Sequence, residues 1–173
     1  MKELICKTEN THQYPIIIEK GIKGRLSQMK ALFSQYHKVV IITDKNVAKE
    51  YLSEVERQVR QAGPKVYSIV IPPGEASKCL SQTAEIYNEL IKCNITRSDA
   101  LLTLGGGVAG DLGRFCAATY LRGIDLIQVP TSLLAQVDSS VGGKVGIDLD
   151  YGKNLVGAFH QPKAAIIDQP FLE

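Results

Sequence analysis

Residues 100–120 read ALLTLGGGVAGDLGRFCAATY, and the fold follows from this stretch. The run ALLTL is short, apolar throughout and free of alternation, as in a strand covered on both faces. Three glycines end it, and a helix through Phe115 and Ala118 follows. Gly105, Gly107 and Gly110 satisfy G-x-G-x-x-G at that junction, where residues without side chains let backbone N–H groups and a helix N-terminus approach a pyrophosphate closely. A tight strand-to-helix turn with no ligand produces the same pattern. The loop also departs from the usual dinucleotide fingerprint: it follows a late strand, and Asp125 begins the next strand where a ribose-binding acid should end it.

Working outward, similar β-branched or apolar runs occupy residues 14–19, 38–43, 65–71, 124–129 and 164–167. Between them, residues 46–62 and 77–93 have helical periodicity, with Val47, Tyr51, Val55 and Val59 on one stripe and Ala84, Ile86, Leu90 and Ile91 on another. Alternating strands and helices predict a Rossmann-like, mainly parallel sheet with helices on both faces. Right-handed crossovers then bring the loops after Thr43, Ile71, Leu104 and Val129 to one edge of the sheet. Gly142, Gly143, Gly146, Gly152 and Gly157 interrupt the later part of the chain, which predicts a glycine-rich ligand-facing loop or hairpin. The final AAIIDQPFLE is a buried-type strand followed by the start of another element, so the sequence reads as one α/β domain over residues 1–173 that is cut short.

The chain has 173 residues, 45% hydrophobic and 22% charged, with a net charge of +2. That length buries roughly 70% of the unfolded surface without a staple. The small net charge offers no argument for a nucleic-acid or membrane partner, so any phosphate recognition is local. No stretch reaches the ~20 apolar residues of a membrane helix. Cys6, Cys79, Cys93 and Cys116 form no CxxC pair, which suits reduced thiols in a cytoplasmic protein. His12, His37 and His160 show no metal-ligand spacing, and no metal site is expected.

The polar residues concentrate in the loops. Asp44 and Asn46 follow one strand, and PPGEASK (residues 72–78) follows another, with Ser77 placed to cap a helix and Lys78 beside it. Asp111 sits in a helix's first turn, where an acid is favoured with or without a ligand. Asp138, Ser139, Ser140, Gly142, Gly143 and Lys144 form a dense cluster, with Lys153 and Asn154 after it, a set suited to an anionic, hydroxylated ligand.

GGGVAGDLGRFCAATYLRG, IQVPTSLLAQVDSSVGGKVGI and GKNLVGAFHQP, together with PPGEASK, resemble the signature blocks of the 3-dehydroquinate synthase family. The resemblance implies the NAD-binding half of a two-domain, homodimeric enzyme whose helical, metal-binding C-terminal domain is absent from this chain. It implies conversion of 3-deoxy-D-arabino-heptulosonate 7-phosphate to 3-dehydroquinate and phosphate, with catalytic NAD and a zinc or cobalt ion whose ligands lie elsewhere, so that the chain alone is inactive. An apolar face is expected where the second domain would pack. By motif, Asp44 and Asn46 would face the adenosine, and the Pro73, Gly74, Glu75, Ala76, Ser77 and Lys78 turn the ribose. Gly106, Gly107, Val108, Ala109 and Gly110 would receive the diphosphate. Asp111, Thr131, Ser132, Lys144 and Lys153 would line the nicotinamide side, and Phe171 and Leu172 would open a further cofactor contact. Arg122, Asp138, Lys144 and Asn154 would hold the substrate. Ser132, His160 and Arg114 depart from the family's common residues, and Arg114 is expected either in solvent or against an unnamed partner. A cyclase for another sugar phosphate, a metal-dependent alcohol or glycerol dehydrogenase, and a non-catalytic nucleotide-binding module are the competing readings.

Overall fold

The computed structural model describes residues 2–7 and 13–172; His12 lies outside them. Among the described residues nine strands run in chain order as β1 (Lys2–Lys7), β2 (Gln13–Ile18), β3 (Lys38–Asp44), β4 (Lys65–Ile71), β5 (Ala100–Gly105), β6 (Asp125–Pro130), β7 (Lys144–Leu149), β8 (Gly152–Phe159) and β9 (Ala164–Ile167). The helices are α1 (Lys30–Phe33), α2 (Lys45–Val47), α3 (Ser53–Gln61), α4 (Leu80–Lys92) and α5 (Gly107–Thr119). Seven strands form one sheet in the order β1-β2-β9-β6-β5-β3-β4, parallel except for β1. The antiparallel β1 was not legible in the sequence, because KELICK carries charges at both ends and leaves Leu4 and Ile5 exposed, as befits an edge strand.

The central strands bury both faces because successive side chains point to opposite sides. Val39 and Ile41 of β3 join Leu102 and Leu104 of β5 in a core closed by Leu26, Phe33, Val55 and Val59. Val40 and Ile42 join Leu101 on the other face, under Ile86 and Leu90 of α4 and Leu112, Phe115 and Cys116 of α5. Burial pushes the Cys116 thiol up to about 12, so it acts as a packing group.

Both expected helices form with altered starts. Residues 45–61 are helical, but Ala48–Leu52 make a wide π turn between α2 and α3. The second helix begins at Leu80, not Ser77, because the buried Ser77 hydroxyl donates to the Pro72 carbonyl (2.7 Å) and closes the PPGEAS turn instead of capping α4. The glycine-rich region resolves into the antiparallel β7–β8 hairpin, which lies outside the main sheet. Val145 and Ile147 pack it onto the α5 layer.

The helix and sheet meet most closely at Gly113, where a Cβ would fall 2.3 Å from Thr103 Cγ2 and 3.6 Å from Ile42 Cδ1. Gly113→Ala should therefore destabilise the fold by about 1–3 kcal/mol despite alanine's better helix propensity. Urea denaturation checks this, and adding Thr103→Ser should recover part of the loss; no recovery would place the strain elsewhere.

Candidate functional site

The parallel strands deliver their loops to one edge. At the end of β3, Asp44 Oδ1 accepts from the backbone N–H groups of Asn46 (2.9 Å) and Val47 (3.1 Å), so this acid caps α2. Its Oδ2 lies 3.6 Å from where a Gly105 Cβ would stand, which places it over the glycine loop after β5. Gly106 is the N-cap of α5 and supplies no side-chain acceptor, so the first N–H groups of a 13-residue helix remain available to a ligand. A Cβ at Gly106 would lie 3.4 Å from Ser132 Oγ, and one at Gly107 would lie 3.7 Å from Ser139 Oγ. The Thr131 N–H donates to the Gly105 carbonyl (2.9 Å), while Ser132 Oγ accepts from the Ala135 N–H (3.3 Å), drawing the loop after β6 against the glycines.

Lys78 joins these loops to the hairpin. Its ammonium is buried, 2.7 Å from Asp111 Oδ2 in the first turns of α5, and donates to Asn154 Oδ1 (2.6 Å) on β8. Its carbonyl accepts from the Asp148 N–H (2.8 Å), and the Asp148 carboxylate accepts from the Asn154 N–H (2.8 Å). Asn154 takes a left-handed backbone, φ 56°, which asparagine tolerates better than most residues. Glu75 and Lys153 meet at 3.4 Å across the same gap, both well exposed and weakly coupled.

Beside this network opens a cavity of about 710 Å³ whose lining includes Asp111, Asp138, Lys144, Asn154, Phe159 and Gln161. Arg122 is not among them. It precedes β6 and lies at the opposite, amino-terminal edge of the sheet, in an exposed turn with Leu121, so its grouping with the other three substrate residues does not hold within one copy of the chain. Phe171 packs inward. Its ring is buried edge-on against Tyr51 (centroids 4.8 Å apart) with Lys23 Nζ 4.9 Å away, leaving Leu172 as the exposed residue of the pair. Leu133, Leu134 and Val137, in the segment that leads to Asp138 of the cavity lining, are each more than 60% exposed.

Three further residues hold the cavity wall, and for Arg114 the second of its two expectations, a partner, is the one found. Arg114 is 1% exposed, neither in solvent nor without a partner: Nη2 donates to Gln128 Oε1 (2.7 Å) and the Ser140 carbonyl (3.3 Å), and Nη1 to the Lys144 carbonyl (3.2 Å). Tyr14 accepts at its hydroxyl from the Gly142 N–H (2.8 Å). The His160 N–H donates to the Gly143 carbonyl (2.8 Å), and its Nε2 lies 2.9 Å from the Ile124 carbonyl. Arg114 carried a signal as a charge in an otherwise apolar helix stripe, and His160 as a departure from the family's common residue; Tyr14 carried none. Burial holds the His160 imidazole below its ordinary value, against the opposing pull of the Ile124 carbonyl. Among the described residues, no group of three His, Cys, Asp or Glu side chains could hold a metal ion.

A Rossmann-like α/β domain with its polar cleft at the carboxyl ends of the strands is the class defined by this architecture. Residues 68–173 match the family described as 3-dehydroquinate synthase N-terminal, and the chain belongs to that family. It is 52% identical over 162 residues to the 3-dehydroquinate synthase of Clostridium acetobutylicum, covering 94% of this chain and 46% of that protein. The chain thus spans about half the length of the curated relatives it matches. Among solved structures, 2-deoxy-scyllo-inosose synthase complexed with carbaglucose-6-phosphate, NAD+ and Co2+ superposes with a TM-score of 0.89 at 25% identity, covering 99% of this chain and 46% of that one. The 2-epi-5-epi-valiolone synthase of Streptomyces hygroscopicus, with NAD+ and Zn2+ bound, shares the fold at 0.81 and 23% identity, covering 96% and 46%.

Two outcomes test the site. As pH falls below the usual histidine value of 6.5, the unfolded chain takes up a proton that folded His160 resists, so stability declines through that window and not above it. His160→Gln should flatten this part of the urea-midpoint profile; identical profiles would remove His160 from it. A Lys78→Met, Asp111→Asn double-mutant cycle should give a coupling of about 1–3 kcal/mol, and additivity would mean the contact is energetically idle.

Proposed function

We propose that the chain is the N-terminal, cofactor-cradling half of a 3-dehydroquinate synthase, which converts 3-deoxy-D-arabino-heptulosonate 7-phosphate to 3-dehydroquinate and phosphate. The observation that carries this reading is the convergence of Asp138, Lys144 and Asn154 on one cavity beside the Lys78–Asp111 pair and the uncapped start of α5. The residues fit NAD: Gly106, Gly107, Val108, Ala109 and Gly110 expose backbone donors for a diphosphate, with no side chain in the way at the glycines. Asp44 and Asn46 would stand at the adenosine end, and Pro73 to Lys78 beside the ribose. Asp111, Thr131, Ser132 and Lys153 would line the nicotinamide side. Bound there, NAD would supply a hydride acceptor.

In this reading the Lys144 ammonium neutralises an anionic group of the substrate, while Asp138 and Asn154 hold its hydroxyls. Lys78 fixes the amide of Asn154, leaving the Asn154 Nδ2 donors to face the ligand. A zinc or cobalt ion would be held by residues outside this chain, as the family resemblance implies. The exposed Leu133, Leu134 and Val137 support a covering domain, and the free thiols at Cys79, Cys93 and Cys116 support a cytoplasmic setting. The whole protein would be a homodimer, as the family resemblance implies.

Calorimetric titration with NAD tests the cofactor half directly. Saturable one-to-one binding is expected, weakened at least tenfold by Gly107→Val, whose Cβ meets only an ordinary 3.7 Å contact in the fold. Equal affinity in that variant would reduce the glycine loop to a turn. Lys144→Ala should spare NAD and remove sugar phosphate binding; retained binding would remove Lys144 from the substrate site.

A further inference from the structure

We propose that Arg114 is the positioning residue of the cavity: its single guanidinium fixes both ends of segment 140–144 from inside the core and thereby sets where the Lys144 side chain starts. This rests on the reading of the cavity as a substrate site only for its consequence, not for the geometry. Arg114 is among the largest fully buried side chains. The groups it donates to are all neutral acceptors, while Asp111, three residues earlier on α5, acts on its charge without a hydrogen bond to it. Burying a guanidinium without a hydrogen-bonded counter-ion is costly.

Those acceptors form a pattern. Nη2 reaches the Ser140 carbonyl and Nη1 the Lys144 carbonyl, so one planar group closes a five-residue segment at both ends. The fork is aimed by Gln128, 2% exposed, whose position on β6 is paired with Thr103 of β5 on one side and Ala165 of β9 on the other. The anchor is therefore the middle of the sheet. Between the two ends, Gly142 (φ 93°) is held at its N–H by Tyr14, and Gly143 at its carbonyl by His160. Every fixed point of the segment is backbone, so the Lys144 side chain stays exposed on the cavity wall. A lysine at 114 would carry the charge but present a point donor that cannot bridge two carbonyls in a fork. A methionine would fill the volume and bridge nothing.

Amide hydrogen exchange on the isotopically labelled chain, with parallel titrations of inorganic phosphate and NAD, decides this. In Arg114→Lys and Arg114→Met, the Val141 and Gly142 amides, which donate to Asp138 and Tyr14, should exchange at least ten times faster. Amides of β3 and β5 and the affinity for NAD should change less than twofold. Phosphate binding, followed at the Lys144 amide, should weaken at least fivefold. Gln128→Leu, which keeps Arg114 but removes its aim, should move the same two amides by a smaller factor. It also serves, with Arg114→Lys, if the methionine variant does not fold. Unaltered exchange at Val141 and Gly142 in Arg114→Lys would overturn the proposal, as would loss of protection in β5 in step with them. An unaltered chain that ignores phosphate would overturn the substrate reading of the cavity, while the exchange rates still decide the role of Arg114.

Discussion

The buried ammonium of Lys78 is the contact on which the site depends. A lysine inside a protein must find acceptors for its donors, and Lys78 finds them on α5 at Asp111 and on β8 at Asn154. Three segments far apart in sequence are thereby held in one place: the turn after β4, the helix after the glycine loop, and the hairpin. Its own carbonyl adds a second tie to the hairpin through Asp148. Without this junction β7 and β8, which share no hydrogen-bonded edge with the main sheet, would keep only their apolar contact with α5 and the backbone ties at the start of β7.

A second constraint acts from below. The hairpin begins at Lys144, and the segment leading into it is held at backbone atoms by Arg114, Tyr14 and His160. The two arrangements divide the work. Lys78 sets the wall of the cavity that carries Asn154, and Arg114 sets the wall that carries Lys144. Both use a long cation whose charge is turned inward, which leaves the ligand-facing charge to a different lysine. Placing a fixed cation behind the wall and a solvent-facing one on it lets the latter meet an anion without first having to be ordered.

Much of this was legible in the chain. The glycine loop, the strand runs and the helical stripes predicted a doubly wound parallel sheet, because apolar periodicity is local and a buried parallel strand leaves an uninterrupted run. The polar loop residues were legible as a set, since so many charged and amide groups near glycines have no packing role. Helix starts were less so: Ser77 is a good cap by type, yet its hydroxyl closes the preceding turn, and nothing local separates the two uses. The edge strand β1 was hidden by the charges that protect such an edge.

By itself, the sequence determined the order of the central strands, the helices between them, and the clustering of Asp111, Asp138, Lys144 and Asn154 near glycines. Tertiary structure alone decided which of these meet. Arg122 has the chemistry of an anion ligand but precedes β6, and a parallel sheet sends the two ends of a strand to opposite edges. Arg114 looks like a surface residue by type and is buried because Gln128 and two carbonyls converge on its place in α5. The ring of Phe171 packs on Tyr51, a contact that no local pattern announces. In each case the deciding partner is distant along the chain, and burial and pairing across such distances arise only once the crossovers have closed.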